Sequence, residues 1–219
     1  MGFALPNGAT VFVGSELDDA IPVTAVSNAL GAVFTVATGH GLAVDDVVLI
    51  KSGWSLIDDL VARVSAQTAT SITIGIIDTS DLNFFAAGAG VGSLQKVTGW
   101  TEIPQITEVA PAGGDQQYVQ IQFLADDNQR NLATYKAAKT LTYTLAHDST
   151  LPIYPVLKKA DRYGDTMPMR MYVPKAKEMR YWSGTPSFDG EPTSAVNAVE
   201  TTTAAFSRKS RDMTFYKEK

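Results

Sequence analysis

Thr140-Leu141-Thr142-Tyr143-Thr144-Leu145-Ala146-His147 and, just after it, Ser149-Thr150-Leu151-Pro152-Ile153-Tyr154-Pro155-Val156-Leu157-Lys158-Lys159-Ala160-Asp161-Arg162-Tyr163-Gly164 hold the change of period that decides the fold. In the first run Leu141, Tyr143 and Leu145 alternate with Thr142 and Thr144, the two-residue repeat of a strand with one buried face. In the second, Ile153, Val156, Leu157 and Ala160 follow the i, i+3, i+4, i+7 spacing of one helical stripe. Ser149 or Thr150 is expected to cap this helix, and Pro152 and Pro155 fall where first-turn amides lack intrahelical partners. Lys158, Lys159 and Arg162 suit its negative C-terminal end, and Gly164 supplies a left-handed stop. The spacing predicts a helix over 151–163, the one convincing helix of the chain.

Strand patterns lie on both sides of it. After the helix come Met169–Val173, Glu178–Trp182, a Gly/Pro-rich stretch from Gly184 to Pro192, Val199–Phe206 and Met213–Tyr216. Before it, Val119, Ile121 and Phe123 alternate with Gln120 and Gln122. Polar loops at Ala110–Asp115 and Ala125–Asn131 flank that run. Further back, residues 22–93 read as a compact all-β module of five short strands, a small barrel or sandwich. There Ile72, Ile74 and Ile76 are expected to share one face, and Ala86–Gly92 reads as a flexible exit linker. Thr10–Gly14 is a short strand behind an N-terminal arm. The expected fold is mainly β with one flanking helix. Residues 1–21 and 94–219 form a discontinuous main domain, and 22–93 an inserted module.

Composition narrows the function classes. The chain has no cysteine, which removes disulfides, thiolate metal sites and cysteine nucleophiles. Net charge is −5, a poor balance for a protein that reads DNA through a basic footprint. Residues 22–95 hold six Asp against Lys51 and Arg63, and Glu16, Asp18 and Asp19 add three further negative charges. No apolar run reaches the roughly 18 residues that span a bilayer. Met1–Gly8 has neither the basic nor the long apolar region of a signal peptide, so none is expected.

Chemistry-bearing motifs are sparse. His40 lies in the Gly-flanked turn Gly39-His40-Gly41-Leu42, and His147 ends a strand; no G-x-S-x-G elbow accompanies them. The Asp pairs at 18–19, 45–46, 58–59 and 126–127 lack the EF-hand pattern and read as turn residues. Gly88–Gly92 lacks the following helix that a dinucleotide loop needs. Lys158, Lys159 and Arg162, and Arg208, Lys209 and Arg211, read as solvated faces or subunit salt bridges. Trp54, Trp100 and Trp182 read as core or interface anchors. No catalytic residue, cofactor or metal site is expected. A rival reading is a carbohydrate- or surface-binding β module of a virion or secreted protein, resting on residues 22–93 and an exposed Trp54.

The order of elements resembles the major tail (tail tube) proteins of phages with long non-contractile tails. Gly8–Ser15, Lys96–Pro104, Leu141–Ala146 before the helix, Met169–Pro174 with Arg180–Gly184, and Ala195–Phe206 carry the likeness. The resemblance implies a structural virion protein, assembled in the host cytoplasm, with six copies per ring and rings stacked into a tube. Its implied partners are its own copies, the tape measure protein, the tail terminator and distal tail proteins. Genomic DNA would cross the lumen without sequence-specific binding, and a net acidic chain suits a bore that must not grip phosphate. Ring stacking is implied for the loop around Thr107–Thr140, with Pro111, Asp115, Gln117, Asp126, Asp127, Asn128 and Arg130 as candidate contacts. It is also implied for the terminal arms, with Phe3, Leu5, Phe215 and Tyr216. Residues 22–93 depart from the simplest family pattern; the tube reading stays intact if they project outward, where they could decorate the tail, touch host surface sugars or brace neighbouring rings.

Overall fold

Alternating apolar and polar residues produce sixteen strands and one α-helix among the described residues, 6–218 of the computed structural model. Residues Phe3 and Leu5, expected in the N-terminal arm, lie outside that range. Strands β1 (Thr10–Leu17), β2 (Ile21–Val26), β3 (Leu30–Val36), β4 (Val47–Ser52), β5 (Val61–Arg63), β6 (Ala66–Gln67) and β7 (Ser71–Asp78) come first. Then β8 (Gly92–Glu102) runs for eleven residues and is shared. Its first half pairs β2 and β4, with Leu94 opposite both Ile21 and Ile50. Its second half pairs β1, with Thr101 opposite Val13.

The remaining strands are β9 (Ile106–Ala112), β10 (Gln116–Ile121), β11 (Arg130–Lys136), β12 (Thr140–Ala146), β13 (Met167–Val173), β14 (Glu178–Thr193), β15 (Thr201–Arg208) and β16 (Thr214–Lys217). β14 is sixteen residues long and changes neighbours at Gly184. Before that residue it lies between β13 and β16; after it, it pairs β15. The order β8-β1-β13-β14-β15-β12-β9 thereby brings two groups of strands around one core. Val13, Tyr143, Leu145, Met169, Trp182 and Phe206 fill it, together with the helix α1 (Ile153–Tyr163). A second core, with Phe34, Ile50, Trp54, Ile72, Ile74 and Leu94, is built entirely from residues 23–94. Between them, Leu49 and Val61 pack against Tyr181, with Trp100, Met179 and Tyr216 around them.

The helix buries Ile153, Tyr154, Leu157 and Ala160 against β14. Full burial of Ile153 and Leu157 contributes about 1.5–3 kcal/mol each, which explains why a short helix with two prolines forms. It starts at Ile153 rather than at 151, and neither Ser149 nor Thr150 caps it: Pro152 holds the cap position with no side-chain bond. Asp148 Oδ1 instead accepts from the Thr150 N–H (3.0 Å) and hydroxyl (2.6 Å), closing a turn ahead of the helix. Gly164 ends the helix at φ 68°, the left-handed stop anticipated there.

Two readings of residues 22–93 need correction. Ile72 and Ile74 are buried, but Ile76 is 45% exposed and Ile77 is buried instead. The register between β3 and β7 slips between Leu30 and Ala32, and the extra residues in β7 turn the following side chains over. The Gly-rich stretch 88–92 is no loose linker. The Gly53 N–H donates to Val91 O (3.0 Å), and a Cβ on Gly90 would sit 2.7 Å from the Trp54 ring. Gly90 is needed because its backbone is pressed onto the indole, whereas Gly92 is pressed against the Lys51 carbonyl.

Candidate assembly surfaces

A two-residue alternation with nothing to cover it produces an unusual element. β10 and β11 pair with each other and form a separate two-stranded sheet. All seven residues of β11 are exposed. Tyr118, Val119, Leu132 and Tyr135 stand in solvent along the ribbon, and Phe123 and Leu124 stand at its tip. Val119, Ile121 and Phe123, which the alternation sets on one face, join none of the apolar cores: Val119 and Phe123 are exposed and Ile121 is half-buried. A two-stranded ribbon is marginal by itself in water, and the chain leaves these apolar groups uncovered.

The candidate stacking residues fall along this region. Pro111 sits in β9, opposite Leu141, and β9 pairs only β12 among the described residues, leaving its other edge open. Asp115 lies at the ribbon's base, where its carbonyl accepts from the Ala137 N–H at 2.9 Å. Gln117 is in β10, its carbonyl taken by the Thr134 hydroxyl at 3.0 Å. Asp127 and Asn128 are in the tip turn, and Asp126 pairs with Arg130 at 3.1 Å. Arg130 is exposed and Asp126 half-buried, so the pair adds little to stability.

Phe215 and Tyr216 are placed differently from an arm. They form β16, which pairs Met179 and Arg180 of β14. The Tyr216 hydroxyl accepts from the Arg63 N–H at 2.8 Å, and the Arg63 guanidinium lies 5.0 Å from the Tyr216 ring centre. Arg63 Nη2 also donates to the Tyr181 hydroxyl (2.9 Å), and Thr214 Oγ1 donates to Val61 O (2.7 Å). The C-terminal strand thus ties residues 61–63 to β14. The signal missed in the sequence was the pair of tyrosines, which can match a cation lying far away in the chain.

The residues weighed for chemistry hold turns and cores. His40 Nδ1 accepts from the Leu42 N–H (3.1 Å), so its Nε2 donates to Thr68 O (2.8 Å) when the ring is neutral. His147 Nδ1 meets the Tyr154 hydroxyl at 3.0 Å. Trp54 is 3% exposed, stacks edge-on against Phe85 and donates its indole N–H to Ala86 O at 2.9 Å. A buried indole offers no face to a sugar, which overturns the exposed Trp54 on which the carbohydrate reading rested. Trp182 is buried as well, and Trp100 is half-buried beneath the Arg170 guanidinium. No group of three His, Cys, Asp or Glu side chains converges as a metal site among the described residues. No helix there is long and apolar enough to cross a membrane.

Among the described residues the chain is a mainly β fold with one helix, an open sheet edge at β9 and an uncovered ribbon, surfaces suited to a structural protein. The family described as phage tail tube protein, TTP, matches residues 52–218, and the chain belongs to that family. The match includes residues 52–93, which the sequence resemblance had left outside the family pattern. No curated protein matches the chain. Among solved structures, a chain of "Cryo-EM structure of the anti-feeding prophage (AFP) baseplate, 6-fold symmetrised" is similar at 11% identity and a TM-score of 0.35. The likeness covers 55% of this chain and 86% of that one.

Proposed function

We propose that this protein forms rings, six copies in each, that stack into the hollow tube of a long non-contractile tail. The β10–β11 ribbon reaches the next ring, and the open edge of β9 is completed by a strand from another copy. The observation that carries the reading is the ribbon: exposed apolar side chains on a two-stranded sheet, in a member of a tail tube family. Edge strands left open in a subunit invite strand addition, and heterologous contacts that do not close build filaments. The tape measure protein, the tail terminator and distal tail proteins are its partners in the tail. DNA leaves through the bore, which a net charge of −5 helps keep free of bound phosphate. Residues 22–93 form an inserted module that faces away from the bore, braced by the cluster around Tyr181.

Electron microscopy of the purified protein is expected to show rings or hollow tubes. Replacing residues 117–134 by a short Gly-Ser turn is expected to leave a folded monomer with an unchanged near-UV spectrum and no tubes. Tubes that form without the ribbon would refute its stacking role. Wild-type protein that stays monomeric at every concentration and trigger would refute the tube itself.

A further inference from the structure

At the base of the ribbon lies a cleft of about 500 Å³ between the segment 136–139 and the segment 208–212. Lys136, Lys139, Arg208, Lys209 and Arg211 line it, against the single acid Asp212. None of these cations makes a salt bridge among the described residues. Its walls are fixed. The Arg208 N–H donates to Lys139 O (2.9 Å), and the Lys209 N–H to Ser183 O (3.0 Å). Buried Ser183 and Ser210 exchange hydrogen bonds, each main-chain N–H donating to the other's hydroxyl. Arg208 is half-buried, and its Nε is shielded from solvent with no hydrogen-bond partner among the described residues. Burial pulls its pKa down, as expected where a guanidinium has lost water without gaining a full counter-charge. Such a group is completed by an anion.

The chain carries that anion elsewhere on its surface. The five cations and Asp212 sum to +4, so the rest of the molecule carries −9 within the whole-chain −5. Of the four adjacent Asp pairs, three are engaged within the chain. Asp45 and Asp46 face Arg63 and Lys96, Asp59 faces Lys51, and Asp126 faces Arg130. Asp18 and Asp19 have no such partner among the described residues; with Glu16 they stand exposed at the corner between β1 and β2. That corner is held in place by the Asp18 N–H donating to Lys96 O at 2.9 Å.

We infer that the basic cleft receives the Glu16–Asp19 corner of a second copy, in a head-to-tail contact that repeats from subunit to subunit. This rests on the assembly reading above and names one of its contacts. A protein carboxylate is favoured over a nucleic-acid phosphate for two reasons. No aromatic side chain lines the cleft to stack a base, and the cleft sits beside an apolar ribbon that already needs a protein partner. Guanidinium groups take carboxylates in paired hydrogen bonds, so the contact sets register as well as attraction.

The protein has no native cysteine, which allows a direct test. Ala20→Cys and Ala138→Cys place one thiol at each surface and leave every charge unchanged. Oxidising an equimolar mixture is expected to give a disulfide dimer that neither variant forms alone. Reversing the cleft with Lys139→Glu and Arg211→Glu should lower that yield about tenfold or more, because like charges then meet. Adding Asp18→Lys and Asp19→Lys to the corner-bearing chain should restore it. A mixture that does not cross-link, or a yield indifferent to both reversals, overturns the inference. If the cleft reversal leaves cross-linking intact but abolishes retention of duplex DNA, the cleft binds phosphate and the inference is equally overturned. Microscopy of the wild type judges the tube separately: tubes without this cross-link sink only the contact, and a cross-link without tubes sinks only the tube.

Discussion

Arg63 joins two parts of the molecule through one side chain. It bonds the Tyr181 hydroxyl, lies over the Tyr216 ring and reaches Asp45 at 3.8 Å. Arg63→Ala removes a hydrogen bond to a charged group and a partly desolvated cation–π contact, together about 2 kcal/mol. For a chain of this size that lowers Tm by about 4–8 °C, readable by calorimetry. Arg63→Lys keeps the charge but not the planar stack, and should fall between the two. Glu178 gives a pH-dependent counterpart. Hydrogen bonds from Arg180 (2.8 Å) and Lys217 (3.0 Å) hold its pKa below the usual carboxylate value. A group whose pKa is depressed on folding adds stability above its unfolded value and loses it as pH falls through the folded one. Thermal melts should therefore show wild type losing its advantage over Glu178→Gln below about pH 4.5, with the gap intact at pH 7. A gap independent of pH would mean that Glu178 acts by packing alone.

At the scale of elements, β16 has only four residues, yet it touches both β14 and β5. Four strand residues contribute little by themselves; their effect comes from the aromatic and hydroxyl groups that they carry onto the cluster around Val61. Truncation after Asp212 is expected to leave the Trp182 core folded and to loosen the loops between β4 and β5. Limited proteolysis should then cut within residues 53–60, and the full chain is expected to resist cleavage there. Unchanged resistance would show that β8 alone fixes the two cores to each other. The ribbon of β10 and β11 stands at the opposite extreme, since its pairing is local and its side chains meet water.

Across the whole molecule, two apolar cores share one continuous strand and a bridging cluster. Elements coupled in that way unfold together when the coupling exceeds the stability of the weaker part. Trp54 reports the core built from residues 23–94, and Trp182 the core against the helix. Chains that retain one or the other of these tryptophans, with the remaining two changed to Phe, should show coincident denaturant midpoints. Adding Tyr181→Ala to each removes the centre of the bridge and should separate the midpoints, with the destabilisation in the 3–5 kcal/mol range of a buried aromatic. Midpoints that stay coincident in the Tyr181→Ala chains would assign the coupling to β8.

Much of the architecture was readable from local pattern. The alternation of Leu141, Tyr143 and Leu145 and the helical stripe from Ile153 to Ala160 depend on neighbours within a few residues, so composition and spacing suffice to specify them. The Gly164 stop follows in the same way, because only backbone freedom is needed there. What the three-dimensional packing decided involves partners far apart in the chain: Tyr216 against Arg63, Gly90 beneath Trp54, and Lys139 facing Arg211 across a cleft. The slip that turns Ile76 outward belongs with them, since register is chosen by the opposite strand. A linear sequence states which side chains are apolar or charged, but which of them meet is settled only when strands distant in sequence lie side by side.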